Sequence, residues 1–143
     1  RQRPDMAIHR FVRLIDAGQP VPMYGDGTAR RDFTYIDDIV DGIVRAIERP
    51  GGFRIYNLGT HDTVMLRDLI ALLERAVGKP AVISRQPDQP GDVPVTHADV
   101  TLAGRDLGYA PSTDLAAGVA KFVEWFRASR DSIAPGGDPA RTT

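Results

Sequence analysis

In the stretch Val21-Pro-Met-Tyr-Gly-Asp-Gly-Thr-Ala-Arg-Arg-Asp-Phe-Thr-Tyr-Ile-Asp-Asp38, two kinds of backbone periodicity follow one another. Val21–Tyr24 reads as a short strand, bounded by turn-forming residues. Gly25 and Gly27 permit a tight reversal and close backbone approach. Arg31–Thr34 is a second extended piece. From Ile36 the apolar spacing becomes helical: Ile36, Ile39, Val40, Ile43, Val44 and Ile47 lie on one stripe, stopped by Pro50-Gly51-Gly52. Strand, turn, strand and helix in close succession predict an α/β fold.

The same reading extends outward. Ile8, Phe11, Val12 and Ile15 mark an earlier helix, capped around Pro4-Asp5 and closed by Gly18. Leu66, Leu69, Ile70, Leu73 and Val77 mark a third, ended by Gly78-Lys79-Pro80. A fourth begins after Ser112-Thr113 and carries Leu115, Val119, Phe122, Val123 and Phe126. Phe53–Asn57 and Ala81–Ser84 are further strand candidates. The expected layout is short strands covered by about four helices within residues 1–130. Residues 131–143, rich in Pro, Gly, Ala and Thr without apolar periodicity, are expected to form a disordered tail.

Composition narrows the function. The 143 residues carry 18 Lys+Arg against 19 Asp+Glu, so no global basic field exists to hold nucleic acid. No apolar run reaches the roughly 18–20 residues of a membrane span. Without cysteine, thiolate chemistry, disulfides and cysteine metal sites are excluded, which is compatible with a cytoplasmic location. His9, His61 and His97 lack metal-ligand spacing. No Gly-x-Gly-x-x-Gly or Gly-x-x-Gly-x-x-Gly turn follows a strand, so no dinucleotide-binding turn is present in this sequence.

Four segments could carry binding chemistry. Neighbouring side chains of an extended segment point to opposite sides, so only one of Arg30 and Arg31 faces a given site. An arginine held there can fork onto a phosphate or carboxylate, although spacing alone equally allows a hairpin with solvent-facing arginines. Asp37-Asp38 reads as acidic complement and cap to its own helix. In Gln89-Pro-Gly-Asp-Val-Pro-Val-Thr-His-Ala-Asp99, the turn presents Asp92, whose two oxygens suit a vicinal diol or its own backbone. Arg3 precedes a helix N-terminus, a location suited to an anion. His9 is expected on the outer face of its helix, and Trp125 is expected to pack with Phe122 and Phe126.

Taken in order, Arg1-Gln-Arg-Pro-Asp-Met-Ala7, Tyr24-Gly-Asp-Gly-Thr-Ala-Arg-Arg-Asp-Phe-Thr-Tyr-Ile-Asp-Asp-Ile-Val40, Tyr56-Asn-Leu-Gly59, Gln89–Asp99, Leu107-Gly-Tyr-Ala-Pro-Ser-Thr113 and Phe122-Val-Glu-Trp-Phe126 resemble the C-terminal half of extended short-chain dehydrogenases/reductases that act on nucleotide sugars. The Arg-Pro-Asp-Met and Gln-Pro-Gly-Asp-Val-Pro forms point toward the UDP-glucuronate 4-epimerases. The resemblance covers residues 1 to about 128. It implies a Rossmann-like partner domain that holds NAD and carries a Tyr-x-x-x-Lys pair, neither of which is in this chain: no tyrosine here is followed four residues later by lysine. Opening on Arg1 in mid-motif, the chain is expected to be the C-terminal part of a longer protein, inactive alone and exposing apolar surface that would pack on the Rossmann domain.

Carried over residue by residue, the resemblance makes Arg31 the diphosphate ligand and Asp92 the ribose ligand. Pro22, Met23 and Tyr24 become the strand that meets uracil through backbone groups. Gln89 stands where galactose-type 4-epimerases have arginine. Arg3 matches a position associated with the acidic end of the substrate, and Ala7 and Leu66 line the nucleotide site. Met65 departs from the Ser or Thr that usually caps the third helix, a role Thr63 or Asp62 is expected to take. The implied reaction interconverts UDP-glucuronate and UDP-galacturonate through a transient 4-keto sugar in a homodimer. The alternatives are a UDP-glucose 4-epimerase, a UDP-glucuronate decarboxylase, a sugar-nucleotide 4,6-dehydratase, or a non-catalytic nucleotide-sugar-binding module.

Overall fold

The computed structural model describes residues 5–88 and 90–130. Its elements run α1 (Ala7–Asp16), β1 (Pro20–Tyr24), β2 (Arg30–Arg31), α2 (Ile36–Ile47), β3 (Val64–Met65), α3 (Leu66–Val77), β4 (Val82–Gln86), β5 (Val95–Thr96), α4 (Thr101–Leu107) and α5 (Leu115–Arg130). β1 and β4 form a parallel pair, Pro20 opposite Val82 and Tyr24 opposite Gln86. Such a pair needs a long crossover, and the segment containing α2 and α3 supplies it. In the second, three-stranded sheet, β2 lies between antiparallel β3 and parallel β5.

The main core joins α1, β1, α3 and α5. Val12, Ile15, Val21, Leu69, Leu73 and Val119 are almost wholly removed from water there. A smaller cluster gathers Ala103, Leu107 and Tyr109 beneath α2. Helix ends follow local chemistry. Gly18, at φ 64°, donates its N–H to Ile15, and Gln19 donates to Leu14, closing α1. Asp114 caps α5 by accepting from Ala116 N–H at 2.8 Å.

Several expectations need correction. Phe53–Asn57 forms no strand, and Phe53 and Ile55 are 84% and 69% exposed. The short β3, β5 and α4 were not legible from periodicity. His9 is buried, not outward: its ring meets those of Phe122, Trp125 and Phe126 edge-on, with centroids 5.5–6.0 Å apart. The tail expected over 131–143 lies outside the described residues.

Exposed apolar surface, as expected, is concentrated on α2. Its periodic stripe faces outward, with Ile36, Val40, Ile43, Val44 and Ile47 all more than 40% exposed, while Asp38 and Gly42 are buried. Gly42 marks the packed side of the helix. A Cβ there would lie 2.8 Å from both methyls of Leu58 and 3.0 Å from the Tyr109 ring, so the absent side chain lets these residues approach.

Candidate functional site

β2 fixes two arginines to opposite fates. Arg30 turns inward, its Nε donating to Thr63 Oγ1 and its Nη2 to Thr63 O, each at 2.7 Å. Arg31 turns the other way: Nη1 donates to the Arg30 carbonyl at 2.8 Å, and Nη2 pairs with the Asp92 carboxylate. Arg30 and Arg31 thus engage different partners, and Arg31 is the one beside Asp92.

Asp92 reaches it because β5 is laid directly beside β2. Arg30 N–H donates to Pro94 O at 2.8 Å and Asp32 N–H to Thr96 O at 3.1 Å. Gly91, at φ 85°, supplies the left-handed turn immediately before Asp92. The two groups singled out from 61 positions apart therefore meet, and side chains of 28% and 45% exposure leave both open to solvent.

Periodicity did not reveal Asp32, which anchors this arrangement. Oδ1 accepts from Thr60 Oγ1 at 2.8 Å and Thr34 Oγ1 at 3.1 Å; Oδ2 accepts from His61 N–H at 3.1 Å and Ala98 N–H at 3.3 Å. Burial alone would push the Asp32 carboxyl up, but the hydroxyl and amide donors of Thr60, with Ala98 and Thr34, hold it below its ordinary value. His61 is held at φ 61° in the turn that Asp32 secures. A carboxylate within an extended segment needs such donors, and Thr34 two residues on was the available hint.

The Gly-Asp-Gly turn has a second task. Gly27 O accepts Arg67 N–H at 3.0 Å and Ala29 O accepts Leu66 N–H at 2.9 Å, satisfying the start of α3 with backbone carbonyls. The expected cap by Thr63 or Asp62 does not occur: Met65 is the N-cap residue, with no side-chain cap. Asp38 is likewise reassigned. It accepts from Ser112 and Thr113 N–H rather than capping α2, because its position faces inward beside Gly42.

The other site candidates fall as follows. Met23 is buried in the core, so its side chain is not presented to a ligand, whereas Pro22 and Tyr24 lie on the half-buried opposite face of β1. Among the described residues β1 has one strand neighbour, β4, and its other edge is free of a ladder. Ala7 and Leu66, the first residues of α1 and α3, are half-buried against the main core. Arg3 and Gln89 lie outside the described residues. A cavity of about 440 Å³ lies between Ile8, the Phe33–Ile36 segment and α5, and is lined by neither Arg31 nor Asp92. Its apolar wall of Phe33, Phe122 and Trp125 offers no anion fork.

Among the described residues, no cluster of three or more His, Asp or Glu could hold a metal, and no helix is long and apolar enough to cross a membrane. The sequence contains no glycine-rich strand-to-helix turn, and the N–H groups that open α3 are already used by Gly27 and Ala29.

Residues 1–59 match the NAD dependent epimerase/dehydratase family. A probable UDP-glucuronate 4-epimerase from Rhizobium meliloti (strain 1021) is 40% identical over 87% of this chain and 42% of its own length. Among solved structures, MoeE5 in complex with UDP-glucuronic acid and NAD superposes with a TM-score of 0.84 at 35% identity, over 90% of this chain and 43% of that one. The UDP-glucuronic acid 4-epimerase from Bacillus cereus in complex with NAD gives 0.81 at 34% identity, over 94% and 42%. The chain thus spans under half the length of these relatives.

Proposed function

We propose that the chain is part of a member of the NAD dependent epimerase/dehydratase family, and that residues 1–130 form the nucleotide-sugar-binding part of a UDP-glucuronate 4-epimerase. The observation that carries this reading is the convergence of Arg31 and Asp92 on one solvent-open face of the β2–β5 pair. A guanidinium anchored in a strand suits a diphosphate; an adjacent carboxylate suits the hydroxyls of a ribose. The unladdered edge of β1 suits a base read through backbone groups, with Pro22 and Tyr24 beside it. Arg3, Ala7, Leu66 and Gln89 complete the proposed substrate set.

In the whole protein the reaction is the interconversion of UDP-glucuronate and UDP-galacturonate. The hydride chemistry belongs to NAD held by residues other than these. What this chain's residues contribute is orientation: a uridine diphosphate gripped at phosphate and ribose serves as a fixed pivot for the sugar. We place the protein in the cytoplasm as a homodimer.

Titration calorimetry of this chain with UDP, UDP-glucuronate and UDP-glucose tests the binding role. Heat with all three, abolished by Arg31→Ala, supports it; no heat with any overturns it. NMR analysis of the products that the whole protein forms from UDP-glucuronate and UDP-glucose then decides the substrate.

A further inference from the structure

We propose that Asp92 is an internal stand-in for the ligand's phosphate: the incoming diphosphate displaces its carboxylate from Arg31, and the released carboxylate turns to the ribose diol. This rests on the reading of Arg31 and Asp92 as substrate groups and adds a coupling between the two halves of the ligand.

The two partners are held unequally. Arg31 sits in a strand paired on both edges, and its Nη1 is tied to the Arg30 carbonyl at 2.8 Å. Asp92 lies on an exposed segment directly after Gly91, whose φ of 85° marks a turn rather than a ladder, and the Arg31 guanidinium is its partner. The guanidinium is therefore the fixed member and the carboxylate the movable one. A pair this open to solvent is weak enough to exchange readily.

The exchange also conserves charge-assisted bonds. Arg31 trades a carboxylate oxygen for a phosphate oxygen, and Asp92 trades a guanidinium for hydroxyl donors, so neither charge is stranded. A ligand with phosphates but no ribose breaks the pair without rehousing Asp92. Phosphate and ribose should consequently bind cooperatively when joined, and each should bind poorly alone.

Calorimetry with inorganic pyrophosphate and with UDP, on the wild-type chain and on Asp92→Asn, separates the possibilities. Removing the competing charge should tighten pyrophosphate binding about three- to fivefold, the worth of an exposed ion pair. The same substitution should weaken UDP binding about fivefold or more, because the ribose loses its acceptor. Asp92→Ser provides a second variant with the same expected pair of opposite shifts. If the wild type binds UDP but neither variant gains affinity for pyrophosphate, the exchange is wrong and the substrate reading stands. If the wild type binds neither ligand, the substrate reading fails and the exchange with it.

Discussion

The Asp38 carboxylate accepts the backbone N–H of Ser112 at 3.1 Å across 74 positions of sequence, and its second oxygen takes the N–H of Thr113 at the same distance. One side chain in the first turn of α2 thereby ties down the loop that leads into α5. Replacing it with alanine leaves two partly buried amides without their acceptor. Asp38→Ala is expected to cost about 2 kcal/mol, read as a lowered urea midpoint with little change in slope. Asp37→Ala, exposed on the same turn, should move the midpoint by less than about 0.5 kcal/mol.

Acid should find the same weakness. Burial raises the Asp38 carboxyl, but the Ser112 and Thr113 donors and the Lys121 charge outweigh it, and Asp32 is lowered in the same manner by Thr60, Ala98 and Thr34. Each folded value lies below the ordinary 3.8, so their stabilisation is complete above that pH and is lost as pH falls through the folded values. Urea midpoints measured from pH 6 down to about pH 2 should hold nearly level to about pH 4 and then fall for the wild type. Asp32→Asn, which cannot ionise, should start lower and fall less. An equal fall in both would remove Asp32 from the acid response.

The contrast between α2 and α3 shows where the amino-acid pattern was informative. Both carry an apolar stripe at helical spacing, and both are helices. In α3 the stripe points into the core, with Leu69 and Leu73 fully buried. In α2 it points out, because burial on this chain is decided by the Gly42 gap and by what Leu58 and Tyr109 can reach. Periodicity reports that a helix has an apolar face; it carries no information on which surface covers that face. For the site, Arg31 and Asp92 could be selected by residue type, whereas their pairing depends on a two-residue strand, β5, too short to leave a pattern. Asp32 and Asp38 were hidden for a related reason: their partners are backbone amides, which every residue carries.

That distinction predicts unequal effects of substitution on the two helices. Ile43→Lys, on the exposed stripe, should change the urea midpoint by no more than about 0.5 kcal/mol. Leu69→Ala, deleting a side chain with no exposure, should cost about 2–5 kcal/mol. Equal losses at both positions would show that the α2 stripe is covered in solution.

Adjacent arginines should separate binding from stability. Arg31→Lys keeps the charge but loses the fork, so UDP affinity should fall about tenfold while the urea midpoint barely moves. Arg30→Lys breaks the contacts to Thr63 Oγ1 and O that hold β2 to the segment before α3. There the midpoint should fall by about 1–2 kcal/mol, with UDP affinity changing less than in Arg31→Lys. Reversal of the two phenotypes would assign the ligand to the wrong face of β2.

Glycines offer the sharpest check on close approach. A Cβ at Gly59 would lie 2.5 Å from Ala98 Cβ and 2.7 Å from Asp32 Oδ2, neither of which is the free end of a flexible side chain. Gly59→Ala must therefore push apart the turn that Asp32 organises, at a cost of about 2–3 kcal/mol. Because that turn flanks the strand bearing Arg31, UDP affinity should fall along with the urea midpoint. Gly104, inside α4, meets only Tyr109 O, at 3.6 Å, an ordinary contact. Alanine there removes backbone freedom from the unfolded chain and should stabilise by about 0.5–1 kcal/mol without touching UDP binding. Opposite signs at two glycines, with ligand affinity following only the first, would place the Asp32 turn in control of the Arg31 face; a Gly59→Ala chain as stable as wild type would mean that the turn has room to relax and does not hold Arg31 in place.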